Sequence, residues 1–247
     1  MTPAAEVGVY LVTDGRLADR HGTGVVGVVR AAVAAGVRVV QVRDKDASAR
    51  ELLALTGSVA DAVGDRALVV VDDRLDVALA ARHAGHRVAG VHLGQSDVPV
   101  GAARALLGPD AHVGLTANTP VHLAALARLP RGTVDLLGVG VVHPTSTKPD
   151  HPPALGHDGV ADIVRLADGL DVPCVAIGGV TLADVAPLRG AGAAGVAVVS
   201  GICAAADPGA AAAAYVAAWT GHLPDAPSPD RGDPRLQTGR TRPGTDA

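Results

Sequence analysis

Residues 172–201 read VPCVAIGGVTLADVAPLRGAGAAGVAVVSG. This stretch begins with a short apolar run at 172–177, passes through two glycines into an amphipathic segment at 181–189, and ends with a Val-rich run at 194–199. Short runs of branched aliphatic residues are typical of strands that are buried on both faces, and the segment between the runs has the length of a helix. The order strand, helix, strand predicts a parallel βαβ unit.

The same alternation extends along the chain on either side of this unit. Six further strands are predicted at 7–12, 37–42, 67–71, 88–92, 111–115 and 134–139, and each is followed by a helix candidate. Eight strand–helix units without a long interruption favour one closed (β/α)8 TIM barrel, with a parallel eight-stranded sheet, over an open doubly wound sheet. The open sheet remains an alternative, because periodicity alone does not show closure.

The composition indicates one large domain with an aliphatic core. The chain has 247 residues, of which 48% are hydrophobic, yet it contains no Phe, one Trp and two Tyr. Val, Ala and Leu must therefore fill the interior. From Pro224 onward, a composition dominated by Pro, Asp, Gly and Arg replaces the apolar periodicity. We therefore expect a single barrel over residues 1–223 and a disordered tail over residues 224–247.

The charge pattern argues against several classes of protein. The net charge is −4 and the two signs are interspersed, so neither a basic stripe nor an aromatic stacking platform for nucleic acid is present. The run at 7–12 lacks the features of a signal peptide, and the uncharged run at 191–206 is too short for a membrane span. Cys174 and Cys203 lack partners at metal-ligand spacing. We expect a soluble cytoplasmic protein without nucleic acid or membrane partners, and homo-oligomer formation stays open.

Polar side chains gather where the predicted strands end, which is where (β/α)8 barrels carry their active sites. After the second strand, the alternation of Gln41, Arg43 and Lys45 places these side chains on one side, facing the barrel mouth. Two cations and an amide at one place suit a polyphosphate. A solvated charged turn is the less favoured alternative, because Gln41 and Arg43 continue an apolar strand.

Carboxylates follow the third and fourth strands. Asp72 and Asp73 come directly after the third strand, and Asp97 lies in the loop after the fourth. Because neighbouring strands place their loops side by side, Asp73 and Asp97 are candidates to bind one Mg2+ ion. Taken alone, each also fits a helix cap or a turn. His92 is interpreted as a barrel-interior histidine, and Thr116 as a strand-end hydroxyl that can donate to phosphate.

A long Pro-rich loop at 140–157 separates the sixth strand from its helix. It carries Thr145, Thr147 and Lys148. Hydroxyls and an ammonium group in a stiffened loop suit a phosphate, and long loops in compact domains are usually functional. A surface turn is the second interpretation.

Small residues end the last two strands. Gly178 and Gly179 follow the seventh strand, and Val199 and Ser200 follow the eighth. Barrels of this type commonly bind phosphate there through backbone N–H groups. The inventory predicts one phosphate held by backbone at this place and a diphosphate held by Arg43, Lys45, Lys148 and a metal ion. It fits a reaction whose leaving group is a metal-bound diphosphate.

Six motifs of this chain resemble, in order, those of thiamine phosphate synthases, also called thiamine-phosphate pyrophosphorylases. They are YLVTD at 10–14, QVRDK at 41–45, DDR at 72–74, HLGQSD at 92–97, PTSTK at 144–148 and IGGV at 177–180. Together they cover about residues 9–202. Each motif is modest alone, but six in family order are specific.

The resemblance implies a Mg2+-dependent transferase. It would join 4-amino-5-hydroxymethyl-2-methylpyrimidine diphosphate to 4-methyl-5-(2-hydroxyethyl)thiazole phosphate, through loss of diphosphate and attack of the thiazole nitrogen on a pyrimidine cation. The residues that the resemblance assigns to the diphosphate and the pyrimidine are Gln41, Arg43, Lys45, Asp72, Thr116 and Lys148. It assigns Mg2+ to Asp73 and Asp97. The residues that it assigns to the thiazole phosphate are Thr145, Thr147, Gly178, Gly179, Val199 and Ser200.

Four positions depart from the family pattern. Asp72 stands where Asn is usual, which places an extra carboxylate near the diphosphate unless Asp72 serves the metal or is protonated. Thr116 and Asn118 stand where the family usually has Ser and His. His143 stands where an aromatic residue is common, and it therefore bears on the shape of the pyrimidine pocket.

Three alternative functions use the same kind of barrel. A thiazole tautomerase would need a His as proton shuttle where this chain has Asn118, and it would not need paired carboxylates. A non-catalytic protein that binds thiazole phosphate or thiamine phosphate would not need the diphosphate and metal groups that this chain retains. An isomerase of sugar phosphates is not excluded by the sequence, because Asp73 or Asp97 can serve as its base.

Overall fold

The computed structural model describes residues 7–145 and 153–221 and contains an eight-stranded barrel. The strands are β1 Gly8–Val12, β2 Val39–Val42, β3 Leu68–Asp72, β4 Gly90–Leu93, β5 His112–Thr116, β6 Leu136–Gly140, β7 Cys174–Ile177 and β8 Gly195–Val198. Consecutive strands pair in parallel, and β8 pairs with β1 in register from Gly8↔Gly195 to Leu11↔Val198. The predicted TIM barrel is confirmed and the open sheet is excluded.

Helices connect the strands and surround the barrel. They are α1 Gly15–Ala18, α2 Gly24–Ala34, α3 Ala49–Val63, α4 Leu75–His83, α5 Val100–Leu107, α6 Pro120–Leu126, α7 Gly156–Asp168, α8 Leu182–Gly190, α9 Ser200–Cys203 and α10 Pro208–Thr220. The sequence pattern does not predict α1 and α9, because a helix of one turn is too short to show a period. The predicted cap of α3 is confirmed, since Ser48 and Glu51 form a reciprocal capping box.

Two apolar layers hold the barrel together. Side chains that point inward from alternate positions fill the interior; they are Tyr10, Val12, Val39, Val70, Leu136, Val175 and Ala197. A larger layer of Val, Leu and Ala packs between the outer face of the strands and the helices. Because both strand faces are buried, the strands need no polar face, which explains the continuous aliphatic runs of the sequence.

His92 lies inside the barrel, as the sequence analysis interprets it. It is 7% exposed, and its Nε2 forms a 3.1 Å hydrogen bond with Thr116 Oγ1. A Cβ atom at Gly114 would overlap the imidazole ring, and one at Gly138 would lie 3.1 Å from two of its ring atoms. Glycines at these two positions of β5 and β6 therefore make room for the ring.

Four strands, β3 to β6, end one residue later than predicted. Asp72 is the last residue of β3, and Thr116 is the last residue of β5. Val70 packs in the barrel interior, so the alternation of side chains directs Asp72 inward at the carboxyl end of the strand. Both polar side chains are therefore held by strand backbone rather than by loops.

Within the described ranges, no helix is long and apolar enough to cross a membrane. The predicted tail at 224–247 lies outside the described residues, so the boundary at residue 223 stays a prediction.

The closed sheet leaves no space for a side chain at Gly90 of β4. A Cβ atom there would overlap the backbone carbonyl of His112 on β5. We expect Gly90→Ala to lower the free energy of unfolding by about 1–3 kcal/mol or more, through overpacking against backbone. Urea denaturation followed by circular dichroism measures the change.

The matched control is Gly101→Ala in α5. Its Cβ atom would meet nothing within 4 Å, and the position is exposed. Ala favours a helix over Gly by up to about 1 kcal/mol, so this variant should keep or gain stability. Equal losses in the two variants would contradict the packing argument.

Candidate active site

The site residues predicted from the first half of the chain meet at the rim formed by the carboxyl ends of β2, β3 and β4. Gln41 is buried inside the barrel near the end of β2, and Arg43 and Lys45 follow on the same side. Lys45 Nζ lies 3.1 Å from Asp72 Oδ2, and Arg43 Nε lies 3.5 Å from the same oxygen. As predicted, Gln41, Arg43 and Lys45 converge. They do so around the carboxylate of Asp72.

A chain of hydrogen bonds fixes Asp72 from below. Tyr10, which is 1% exposed, donates its hydroxyl to Gln41 Oε1 at 2.8 Å. Gln41 Nε2 in turn donates to Asp72 Oδ1. Burial raises the pKa of the Tyr10 hydroxyl well above its usual value, and the charge of Asp72 raises it further. Tyr10 therefore stays a donor, and the amide of Gln41 is oriented with its N–H toward the rim.

The protonation of Asp72 is set by competing contacts. Burial raises its pKa, and the neighbouring Asp73 raises it further, while Lys45 and Arg43 lower it. The net shift is upward. Asp72 therefore takes up a proton more readily than an ordinary aspartate, even with two cations beside it.

Asp73 and Asp97 touch each other across the ends of β3 and β4. Burial raises the pKa of Asp97, and a hydrogen bond with Asp73 raises it further, whereas contacts with Lys45 and Asp97 bring the pKa of Asp73 down despite its burial. Gly94 N–H donates to Asp97 Oδ2 at 2.6 Å. Two carboxyl groups in hydrogen-bonding contact must share a proton or a cation, which makes this pair a candidate metal site.

Asp73 owes its position to an unusual backbone conformation. Its φ is +58°, in the left-handed region that disfavours residues other than Gly, Asn and Asp. Its N–H donates to the carbonyl of His92 at 2.8 Å, which ties the end of β3 to β4. Lys45 also donates to Asp73 Oδ2. Lys45 therefore contacts both Asp72 and Asp73, which are adjacent in the sequence.

The rim of β5 is joined to the loop after β4. Gln95 Nε2 donates to the carbonyl of Thr116 at 2.6 Å, and the Thr116 hydroxyl contacts His92 inside the barrel. Asn118 accepts a 3.2 Å hydrogen bond from Gly140 N–H, so it connects β5 to β6. Asn118 thus has a structural partner where the family pattern has a histidine.

The two glycines after β7 have a packing role in addition to any role toward a ligand. Gly178 and Gly179 have φ of +93° and +69°. A Cβ atom at Gly178 would overlap Val141, and one at Gly179 would lie 2.9 Å from His143 Cβ. The Gly178 carbonyl accepts a 3.0 Å bond from His143 N–H. The turn after β7 is therefore packed against the chain that leaves β6.

The remaining predicted phosphate ligands are only partly within the described chain. Val199 and Ser200 lie where β8 passes into α9, and the N–H groups of the first turn of a helix have no partner within that helix. Thr145 is described and half-buried. Thr147 and Lys148 lie outside the described residues, so their roles stay predictions.

A cluster of His143, His157 and Asp184 was not predicted from the sequence. His143 follows β6, His157 begins α7, and Asp184 lies in α8. The only local signal is Asp184, which stands three residues after Thr181 as in a capping box. Its two histidine partners lie 41 and 27 residues away and carry no such signal.

A closed (β/α)8 barrel with cations, paired carboxylates and glycine turns at its strand ends defines a TIM-barrel enzyme of the phosphate-binding class. A model of the family described as thiamine monophosphate synthase matches residues 9–202. The chain belongs to this family. Membership makes it a transferase of thiamine biosynthesis, and the resemblance stated from the motifs is confirmed.

Relatives and solved structures agree. The thiamine-phosphate synthase of Corynebacterium efficiens is 47% identical over 208 residues, which cover 84% of this chain and 93% of the relative. That of Albidiferax ferrireducens is 42% identical over 205 residues, covering 83% and 88%. The structure of thiamine phosphate pyrophosphorylase from Pyrococcus furiosus matches with a TM-score of 0.73 and 28% identity, over 88% of this chain and 98% of that one.

The hydrogen-bond chain below Asp72 generates a stability prediction. Tyr10→Phe leaves the buried Gln41 carbonyl oxygen without its donor, so we expect the free energy of unfolding to fall by about 1–3 kcal/mol. Ser58→Ala is the control, because its hydroxyl donates to Ala54 O on an exposed helix face. Chemical denaturation should show no measurable change for Ser58→Ala, and an unchanged midpoint for Tyr10→Phe would contradict the proposed support of Gln41.

Proposed function

We propose that this chain joins 4-amino-5-hydroxymethyl-2-methylpyrimidine diphosphate to 4-methyl-5-(2-hydroxyethyl)thiazole phosphate, giving thiamine phosphate and diphosphate in a Mg2+-dependent reaction. The observation that carries the proposal is the contact of Asp73 with Asp97 beside Lys45, at the rim of a barrel of this family. A bound diphosphate is stabilised by a metal ion and by cationic side chains. This rim offers carboxylates that can bind the metal ion and cations that can bind the diphosphate.

The residues fit a magnesium ion. Asp73 and Asp97 supply carboxylate oxygens, which are the ligands that Mg2+ prefers. Burial raises the pKa of Asp97 and its contact with Asp73 raises it further, so a bound cation would stabilise the ionised pair. Mg2+, when bound here, supplies positive charge that stabilises the leaving diphosphate.

Cationic side chains of the chain would hold the diphosphate itself. Arg43 and Lys45 lie at the rim, and Gln41 directs its amide N–H toward the same place. In the absence of ligand these donors are engaged by Asp72, so binding a diphosphate must exchange carboxylate contacts for phosphate contacts. Lys148 is assigned to the same group by the family motif.

The thiazole phosphate would bind on the other side of the mouth, after β6, β7 and β8. Backbone N–H groups at Gly179 and Ser200 can donate to phosphate oxygens without adding charge. Thr145 and Thr147 would add hydroxyl donors, and Gly178 and Val199 would complete the turn. Two anionic substrates are then kept on opposite sides of the barrel axis, with their reacting ends toward each other.

The proposed reaction is dissociative. The bond between the pyrimidine methylene carbon and the diphosphate oxygen breaks first, and its electron pair leaves with the diphosphate. The thiazole nitrogen then donates its lone pair to the methylene cation and forms the new carbon–nitrogen bond. Arg43, Lys45 and Lys148 would bind the departing charge, while Thr116 would contact the pyrimidine at the end of β5.

The tautomerase alternative is not favoured by the site. It needs a proton shuttle, and the corresponding Asn118 has no titratable group and is hydrogen-bonded to Gly140 N–H. We further propose that the enzyme acts on small molecules in the cytoplasm, without nucleic acid or membrane partners.

The proposal is tested by supplying both substrates and measuring thiamine phosphate with and without Mg2+. We expect product only with Mg2+. In Asp97→Asn we expect kcat/KM to fall at least about tenfold, with half-maximal rate at a higher Mg2+ concentration, because a metal ligand is lost. Asp162→Asn removes a carboxylate that is exposed on α7 and should behave as wild type.

The outcomes separate the alternatives. Product formation that survives a metal chelator would refute the Mg2+ assignment. Folded wild-type protein that binds thiazole phosphate but makes no product would refute synthase activity and indicate a non-catalytic binding protein.

Asp72 allows a second prediction about the same site. Asp72→Asn keeps the oxygen that accepts from Gln41 but removes a charge that repels the diphosphate. We expect the KM for the pyrimidine diphosphate to fall about fivefold at neutral pH, the effect of one weak charge repulsion. Wild-type KM should also decrease as pH falls toward the raised pKa of Asp72, and the variant should lack this dependence.

Steady-state kinetics from pH 5 to 8 would measure both effects, with Asp162→Asn as the control. A higher Mg2+ requirement in Asp72→Asn would contradict the repulsion and would instead place Asp72 among the metal ligands.

A further inference from the structure

Three side chains from separate elements converge between α7 and α8. His143 Nε2 and His157 Nε2 donate to the same oxygen, Asp184 Oδ1, at 2.8 and 2.7 Å. The two imidazole rings lie edge to face, with centroids 5.6 Å apart. This arrangement has no part in the reaction proposed above, which uses neither histidine.

The geometry is that of a metal-ligand set. One ligand atom from each of the three side chains can be chosen so that all lie within 4.8 Å of one another. Ligand atoms around a tetrahedral zinc ion, bound at about 2.0–2.1 Å, are separated by about 3.3 Å. Small shifts of the three side chains would therefore place one atom of each around one ion.

Asp184 is prepared as an anionic ligand. Its side chain is 7% exposed, and its second oxygen, Oδ2, accepts from the Thr181 N–H and hydroxyl at 2.7 Å each. Burial raises the pKa of this carboxyl, but hydrogen bonds from His143, Thr181 and His157 bring it below its usual range. Thr181 orients this carboxylate through Oδ2, as outer hydrogen bonds do in metal sites, and a bound ion would replace the two imidazole N–H groups at Oδ1.

The two histidines leave the cluster accessible to ions from solvent, and they determine which metal ions it prefers. Their side chains are 43% and 39% exposed, so an ion can reach them from solvent. Imidazole nitrogen favours zinc, copper and nickel, whereas magnesium prefers oxygen. The cluster therefore differs in chemistry from the Asp73–Asp97 pair, and it lies after β6 and β7 rather than after β3 and β4.

We propose that His143, His157 and Asp184 form a binding site for a divalent transition-metal ion of the zinc type, with water in the fourth position. The inference is independent of the proposed reaction, since it concerns residues that need no substrate. Its ligands come together only in the folded chain, so the ion stabilises the folded state by mass action.

The alternative is a hydrogen-bonded clasp that binds no ion. In that case both histidines donate to one carboxylate oxygen, and added metal has no specific place. Because the clasp and the metal site use the same three atoms, only a direct measurement of binding distinguishes them.

Binding is measured with Co2+, whose visible absorption shows its coordination, and with Zn2+ in competition with a chromophoric chelator. All samples contain millimolar Mg2+ to occupy the oxygen-ligand site. For wild-type protein we expect one equivalent of Co2+ with the intense bands of a four- or five-coordinate ion, displacement by Zn2+, and a higher melting temperature with Zn2+.

His157→Gln and His143→Gln should each lower Zn2+ affinity at least about tenfold and abolish the thermal shift. His83→Gln, which changes an exposed histidine at the end of α4, should retain wild-type binding. Circular dichroism checks that each variant is folded. Wild-type protein that binds no Co2+ would overturn the site in favour of the clasp, and so would His157→Gln with undiminished affinity.

Discussion

The parallel pairing of β8 with β1 is the constraint on which the rest of this molecule depends. Closure of the sheet brings the carboxyl ends of all eight strands to one rim, so residues far apart in the sequence become neighbours. It also encloses an interior that must be filled by side chains of suitable size. A chain without Phe meets this demand with Val, Leu, Ala and Tyr10, and with His92 placed where Gly114 and Gly138 leave space.

The closed rim explains why charge is concentrated near Asp72. At the ends of three neighbouring strands, β2 to β4, the rim carries Arg43 and Lys45 on one side and three carboxyl groups on the other. Burial, and after it the neighbouring Asp73, raise the pKa of Asp72 and of Asp97 in spite of the cations nearby. This cluster of charged side chains suits a ligand that carries negative charge and binds a metal ion.

The fold and part of the site could be predicted from the sequence because both follow from simple periodicities. Alternation along β2 correctly placed Gln41, Arg43 and Lys45 together, and the alternation of strands and helices correctly gave the barrel. Contacts that depend on two distant loops could not be predicted. No periodicity relates Asp184 to His143 or His157, and none places Tyr10 beneath Gln41. The packing need for glycine at 178 and 179 was also hidden, because the sequence does not show that the residues following β6 lie opposite them.

The turn after β7 and the chain leaving β6 fit together with no space for a Cβ atom at Gly178 or Gly179. Residues 141–143 and residues 178–179 therefore constrain each other's substitutions, both in evolution and in protein engineering. A side chain added at 178 or 179 must be matched by a shift of residues 141–143, and the turn carries backbone groups proposed to hold a substrate. Attempts to change substrate preference in this part of the barrel should vary the two segments jointly, because substitutions in one segment alone would disturb its packing against the other.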